Sequence, residues 1–192
     1  MAVYQLENFI DEALCKSIIE FGETKMEKSG ILGVQREGYR KAESMWMDQM
    51  NPLVRPIVER VSELLECPIE NQEPPHVVRY EVGGEYKLHH DFFHLGEDYT
   101  EEMMKYGGQR EATFLIYLND NFEGGETDFP KFKLTIKPKT GNAIIWNNVT
   151  EDKKLDKKSI HAGLPVINGS KYILVIWIRE SAFNKPAEHP LH

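Results

Sequence analysis

Between His76 and Arg179 the chain is a succession of short segments rich in Val, Ile, Tyr, Phe and Trp, with no helical stripe interleaved. The segments cover 76–82, 86–93, 111–118, 132–137, 142–146, 161–166 and 171–179. Turn signals separate many of them: Gly83-Gly84, Gly124-Gly125, Lys139-Thr140-Gly141 and Asn168-Gly169. Seven strands in such a run indicate an antiparallel barrel or double-sheet jelly roll. The chain before this run reads as helical. Asp11 is an N-cap ahead of Leu14, Ile18 and Ile19, and Asn51 with Pro52 starts a second helix whose stripe is Leu53, Ile57, Val61, Leu64 and Leu65. Between the helices lie Gly30, Gly33 and Gly38, then Ser44-Met45-Trp46-Met47, which reads as an edge strand with core-filling side chains. The organisation expected is one domain: a helical support over residues 1–75, a jelly-roll core over 76–182 and a loose or draped tail over 183–192.

The 192 residues are 41% apolar and 28% charged, so a folded chain is expected. About 70% of the unfolded surface is buried at this length, so neither a disulfide nor a structural zinc is needed to hold a core. Cys15 and Cys67 have no metal-ligand spacing and read as buried or half-buried free thiols. Thirty-one acidic residues against 23 basic ones leave a charge of −8, which argues against nucleic acid or an anionic membrane as partner. No apolar run approaches the ~20 residues of a membrane span. The first residues have no basic and apolar leader pattern, so a cytoplasmic location is the expectation, and the Asn-x-Ser/Thr patterns at Asn148 and Asn168 are read as chance.

The sharpest local feature is His89-His90-Asp91 at the end of an expected strand. Residues two apart on an extended chain share a side, so His89 and Asp91 face one way and His90 the other. An imidazole and a carboxylate on one strand face are two arms of a facial triad, which a third His from a distant strand completes, leaving metal positions open. His161 opens a later strand, and Lys171 opens the last one. One face of that last strand carries Tyr172, Leu174, Ile176 and Ile178, suited to a core; the other carries Lys171, Ile173, Val175, Trp177 and Arg179. A buried cation on so apolar a strand needs an anionic partner, which a dicarboxylate would supply; a solvent-facing lysine at a strand end is the alternative. His90 and His94 lack the helical context of a zinc pair. The run from Asn119 to Asp128 lacks the helices and terminal glutamate of a calcium loop.

Four segments together resemble the prolyl 4-hydroxylases of the iron(II)/2-oxoglutarate-dependent oxygenase superfamily. They are Tyr80-x-x-Gly83-Gly84-x-Tyr86-x-x-His89-x-Asp91; Gly108-Gln109-Arg110-x-Ala112-Thr113-x-Leu115-x-Tyr117-Leu118-Asn119; Gly124-Gly125-x-Thr127-x-Phe129; and Gly141-x-Ala143-x-x-Trp146-x-Asn148 leading to His161-Ala162-Gly163-x-Pro165-Val166-x-x-Gly169-x-Lys171. The resemblance implies that His89, Asp91 and His161 hold Fe(II), and that Lys171, with Thr127 and Tyr80, binds 2-oxoglutarate. It implies consumption of dioxygen, release of succinate and carbon dioxide, and ascorbate as reductant. Halogenating relatives lack the carboxylate ligand, so Asp91 points to hydroxylation.

Arg110, Tyr86 and Trp177 match family positions that face a bound peptide, although an exposed charge before a strand is an equal reading of Arg110. Some relatives carry a His where Arg179 stands. The segment Leu95–Tyr106 is either a lid or a solvated loop. The implied activity is 4-hydroxylation of proline in a peptide or protein. The same chemistry on a free amino acid or small molecule, and a metal-binding jelly roll without turnover, are the alternatives. Nucleic-acid demethylation is set aside on charge, and oligomeric state is not readable.

Overall fold

A computed structural model of the chain describes residues 2–29, 39–94, 96–97 and 99–184. Gly30, Gly33, Gly38 and the tail from 185 onward, all considered above, lie outside the described residues. In chain order the elements are β1 (Val3–Leu6), α1 (Glu12–Glu23), β2 (Glu27–Lys28), β3 (Glu43–Trp46), α2 (Arg55–Leu65), β4 (His76–Tyr80), β5 (Tyr86–His89), α3 (Thr100–Lys105), β6 (Arg110–Tyr117), β7 (Glu123–Gly124), β8 (Thr127–Phe129), β9 (Leu134–Ile136), β10 (Ala143–Asn147), β11 (His161–Gly163), β12 (Val166–Asn168) and β13 (Lys171–Arg179). The strands form an antiparallel seven-stranded sheet in the order β1-β10-β6-β13-β4-β3-β2, and a smaller one in the order β5-β11-β8-β9. A short ribbon pairs β12 with β7.

The alternation along β13 sets two cores. Tyr172, Leu174, Ile176 and Ile178 turn to the helical side, where they join Phe114, Ile116, Ile18, Val58 and Val61. Ile173, Val175 and Trp177 turn to the other face and join Val78, Leu115, Tyr117, Phe129 and Trp146 between the sheets. Nine consecutive residues of β13 are buried because it is a central strand covered on both faces.

Several expected elements shift. Asp11 does cap α1, accepting from the Leu14 N–H at 2.7 Å. The second helix starts at Arg55 rather than Pro52, with Pro56 in its first turn. Asn51 instead closes the preceding turn, accepting from Leu53 N–H through its side chain and from Val54 and Arg55 through its carbonyl. The first 75 residues are not helical throughout, since β1, β2 and β3 all extend the large sheet. The segment 161–166 splits into β11 and β12 around Leu164-Pro165, and 86–93 ends as a strand at His89. Cys15 is buried and Cys67 half-buried, both as free thiols. No described helix is long and apolar enough to cross a membrane.

Candidate active site

β5 and β11 are antiparallel neighbours in which His89 stands opposite His161. That register brings together two side chains 72 positions apart. The chain bends immediately after β5, and the bend carries the Asp91 carboxylate to the same place. Asp91 Oδ1 lies 3.5 Å from His89 Nε2, and Asp91 Oδ2 lies 3.7 Å from His161 Nε2. One ligand atom from each residue lies within 4.8 Å of the others, and this is the one such cluster among the described residues. The ring orientations are fixed from behind. His89 Nδ1 is 2.7 Å from the Lys87 carbonyl and His161 Nδ1 is 2.8 Å from the Ser159 carbonyl. Each Nδ1 therefore donates to a carbonyl, which turns both Nε2 atoms toward the place a cation would take.

The protonation states suit a metal. Burial, and then the neighbouring His89, lower His161 to about 4, so its imidazole is neutral near neutral pH. Burial alone would raise the Asp91 carboxyl, but His161, His89 and Arg110 outweigh it and hold the group ionised. Thr113 Oγ1 donates to Asp91 Oδ2 at 2.8 Å while accepting from Asn148 Nδ2 at 2.9 Å. This chain of buried polar groups aims the carboxylate. Two imidazoles and one carboxylate gathered on one side are the donor set of a facial triad, which suits a borderline divalent metal such as iron(II).

Next to this cluster the cavity runs along β13 to Lys171, 2% exposed. Its ammonium donates to the Gly125 carbonyl at 2.7 Å, and the rings of Tyr80 and Tyr117 lie 5.4 and 5.8 Å away. Gly125 sits at φ +67°, and a Cβ there would come within 3.1 Å of Lys171 Cδ, so glycine keeps the lysine's path open. No carboxylate among the described residues forms an ion pair with Lys171. Burial lowers its pKa to about 8, with Glu126 pulling weakly the other way. A buried ammonium with protons to spare is a fitted receptor for a carboxylate. Thr127 also lines the cavity, and its Oγ1 accepts from the Tyr117 hydroxyl at 2.7 Å, which leaves the Thr127 proton free to donate inward. The residues present thus fit both iron(II) and a dicarboxylate.

The sequence model of the 2OG-Fe(II) oxygenase superfamily matches residues 75–179. A putative prolyl 4-hydroxylase of Acanthamoeba polyphaga mimivirus is 36% identical over 94% of this chain and 75% of its own. The chain belongs to the prolyl 4-hydroxylase family of this superfamily. A probable prolyl 4-hydroxylase of Arabidopsis thaliana is 33% identical over 90% of this chain and 66% of its own. Among solved structures, the viral collagen prolyl hydroxylase of Paramecium bursaria chlorella virus-1, in its 2-oxoglutarate complex, superposes with a TM-score of 0.75 at 31% identity. The match covers 93% of this chain and 96% of that one.

Of the residues singled out in sequence, His89, Asp91, His161, Lys171, Tyr80, Thr127, Tyr86 and Trp177 all line the oxygenase's cavity. Tyr86 stacks on His89 with ring centroids 3.5 Å apart. Arg110 does not line it, and it is not an exposed charge either. It is 8% exposed, its guanidinium lies 3.8 Å from the Trp177 ring centre, and it grips both carboxylate oxygens of Glu73 at 2.6 and 2.8 Å. Arg179 takes the same Glu73 from the other side at 2.9 Å and donates to the Met103 and Gly108 carbonyls. The base of the segment between Asp91 and Arg110 is therefore pinned, and the Gln109 side chain adds bonds to both the N–H and the carbonyl of Phe93. Sequence reading gave no role to Arg40, Thr113, Trp146, Asn148 and Glu73. Three of these, Thr113, Trp146 and Asn148, stand in the motif segments quoted above, whereas Arg40 and Glu73 have no local signal.

Lys171 yields a pH prediction. The ammonium is charged below about pH 8 and loses its proton above it. The KM for 2-oxoglutarate is expected to climb with pH above that point, approaching tenfold per unit. In Lys171→Ala the KM starts about ten- to a hundredfold higher, as loss of a charge-assisted bond requires, and stays flat across the window. Initial rates against co-substrate concentration from about pH 7 to about pH 9.5 read both effects. A flat wild-type profile would remove Lys171 from the co-substrate site.

Proposed function

We propose that the chain is an iron(II)/2-oxoglutarate-dependent dioxygenase that hydroxylates peptidyl proline at the 4-position. The observation that carries this is the pairing of the His89/Asp91/His161 cluster with a buried ammonium at Lys171 in one cavity. With iron(II), 2-oxoglutarate and dioxygen bound, the centre supplies an oxidative decarboxylation that releases succinate and carbon dioxide and places a hydroxyl on the substrate carbon. The chain's own residues do the positioning. Lys171 and the Thr127 hydroxyl hold the distal carboxylate end, the Lys87 and Ser159 carbonyls fix the two imidazoles, and Thr113 with Asn148 fixes Asp91. The rings of Tyr80, Trp146 and Trp177 wall the cavity, which helps shield a reactive centre from side reactions.

The substrate assignment rests on the viral and plant relatives, whose names are those of prolyl 4-hydroxylases, and on the aromatic cavity wall at Tyr86 and Trp177. Proline-rich chains carry a preformed extended helix that aromatic-lined grooves take at low entropic cost. Arg110 enters this reading through Trp177, whose ring it backs. Ascorbate serves as the reductant that keeps the iron ferrous, and the place of action is the cytoplasm.

The test is succinate formation from 2-oxoglutarate in air with iron(II) and ascorbate, with and without poly(L-proline) or a Gly-Pro-Pro repeat peptide. Peptide is expected to raise turnover, and its mass to grow by one oxygen per hydroxylated residue. Succinate without stimulation by any peptide would leave the cofactor chemistry and overturn the substrate. No succinate from iron-loaded protein would overturn catalysis altogether.

A further inference from the structure

Three adjacent strands of the large sheet place an aromatic row, Trp46, His76 and Trp177, beside the cavity that Trp177 lines. Trp46 in β3 stands opposite His76 in β4, and His76 stands opposite Val175 in β13. Opposed residues of an antiparallel pair project to the same face. Val175 lines the cavity, so His76 projects from the cavity face of the sheet. Its ring lies flat against Trp46, centroids 4.0 Å apart at 12°, and 5.5 Å from the Trp177 ring. His76 is only 3% exposed, yet its Nδ1 has no hydrogen-bond partner among the described residues.

That orphan is not alone. Arg40 Nε and Trp177 Nε1 are also buried without a hydrogen-bond partner among the described residues, and both residues line the cavity. A buried polar atom left unbonded is costly, and natural proteins keep few of them without a reason. Trp Nε1 and Arg Nε can only donate. A neutral imidazole can donate from Nδ1. Burial, with the charges of Arg40 and Arg110 beside it, holds His76 far below the usual histidine range and therefore neutral. All three atoms can thus donate, and none of them has an acceptor among the described residues.

The complementary ligand is one rich in acceptors and poor in donors. A proline-rich segment in the extended left-handed helix has that character: its backbone carbonyls make no internal hydrogen bonds, and its prolines have no N–H. We propose that His76 is a specificity-determining residue of this oxygenase, donating from Nδ1 to a backbone carbonyl of a proline-rich chain seated against Trp46 and Trp177. Arg40 and Trp46, the groups beside the ring, are both half-buried and give the chain its approach. This inference rests on the peptidyl-proline reading above and adds to it the residue that reads the substrate's main chain.

Three variants test it. His76→Phe keeps the aromatic stack and removes both ring nitrogens. His76→Asn restores a polar atom near the Nδ1 position without the ring. His76→Ala removes both features. With poly(L-proline) and a Gly-Pro-Pro repeat as probes, His76→Phe is expected to raise peptide KM about tenfold or more, the size of effect seen when a buried polar site loses its partner. The KM for 2-oxoglutarate stays within about twofold, since Lys171 is untouched. His76→Asn recovers part of the loss, and His76→Ala is at least as poor as His76→Phe.

Thermal unfolding without peptide supplies the second readout. If Nδ1 is an unfilled donor awaiting a ligand, the phenylalanine variant melts at the same temperature as wild type or higher. A His76→Phe variant that melts lower and keeps the wild-type peptide KM would make His76 a structural residue and overturn the inference. Wild type that no peptide stimulates would overturn both the substrate reading and this inference. That failure shows in the wild-type arm alone, so the two are told apart.

Discussion

Asp91→Ala is expected to abolish metal-dependent turnover, lowering kcat/KM by about a thousandfold or more, equivalent to ~4 kcal/mol of transition-state stabilisation. Three features of the site set this size. The carboxylate is the only anionic member of the triad, so its loss leaves two imidazoles alone to hold a divalent cation. It is buried at 7% exposure and kept ionised, so no solvent group takes its place. Its removal also strands the Thr113 hydroxyl, which is itself held by Asn148. Thr113→Val is the graded companion. It keeps the ligand and removes the group that orients it, so metal affinity is expected to fall about ten- to a hundredfold. Titration of the protein with iron(II) under nitrogen, or with manganese(II) as a stable substitute, followed by tryptophan fluorescence, reads affinity without turnover. Trp146 lies 4.7 Å from the His161 ring and is a built-in reporter. Tight metal binding by Asp91→Ala would mean that the cation sits elsewhere.

The strand periodicity carried most of what could be read without coordinates. Alternation along β13 separated Leu174 and Ile176 from Ile173 and Val175, and the structure divides them between two cores in that way. Strand alternation also puts His89 and Asp91 on one side; they do converge, but through the bend after β5, since the strand ends at His89. What periodicity could not supply was pairing across the sheets. The opposition of His89 and His161 is a long-range register, and no local pattern encodes it. β1 was hidden because Val3–Leu6 is a four-residue edge strand whose Tyr4 and Gln5 are exposed. The second helix started late because Asn51 closes a turn of its own before Arg55, so the capping signal was real but served a different element. Arg40 and Glu73 were missed for a different reason. Each acts through tertiary partners, and a charge in a loop reads as solvated until the fold buries it. Arg110 shows the same limit, since a charge next to a strand gave no hint of a carboxylate 37 positions away.

Glu73 gives the largest effect on stability. Its side chain is 0% exposed and stands between two buried guanidiniums, bound to Arg110 through both carboxylate oxygens and to Arg179 at 2.9 Å. A carboxylate in this setting is not a bonus added to the core, because well-packed apolar groups could fill the space as stably. Removing it alone is another matter. Glu73→Ala leaves two uncompensated cations in the interior and a void beside them, and breaking a buried pair in this way costs about 3–5 kcal/mol. For a chain of this size that corresponds to a fall in Tm of roughly 6–20 °C. Glu73→Gln keeps an acceptor for one guanidinium and is expected to fall between alanine and wild type.

The pH dependence identifies the cause. Burial alone would raise the Glu73 carboxyl, but Arg110 and Arg179 outweigh it and hold it below the ordinary range. Its contribution is therefore present in full above the unfolded carboxylate pKa of about 4.3 and is lost as pH falls toward the lower folded value. The gap in stability between wild type and Glu73→Ala should be widest near neutral pH and narrow below about pH 4.3. Denaturant unfolding across that range measures it, and a gap independent of pH would assign the loss to packing instead. Because Arg110 backs the Trp177 ring and Arg179 holds the Met103 and Gly108 carbonyls, the same substitution frees the cavity wall and the base of α3 together. Peptide KM should therefore rise in Glu73→Gln even at temperatures where the protein remains folded, which ties the buried carboxylate to the substrate side of the site rather than to the metal.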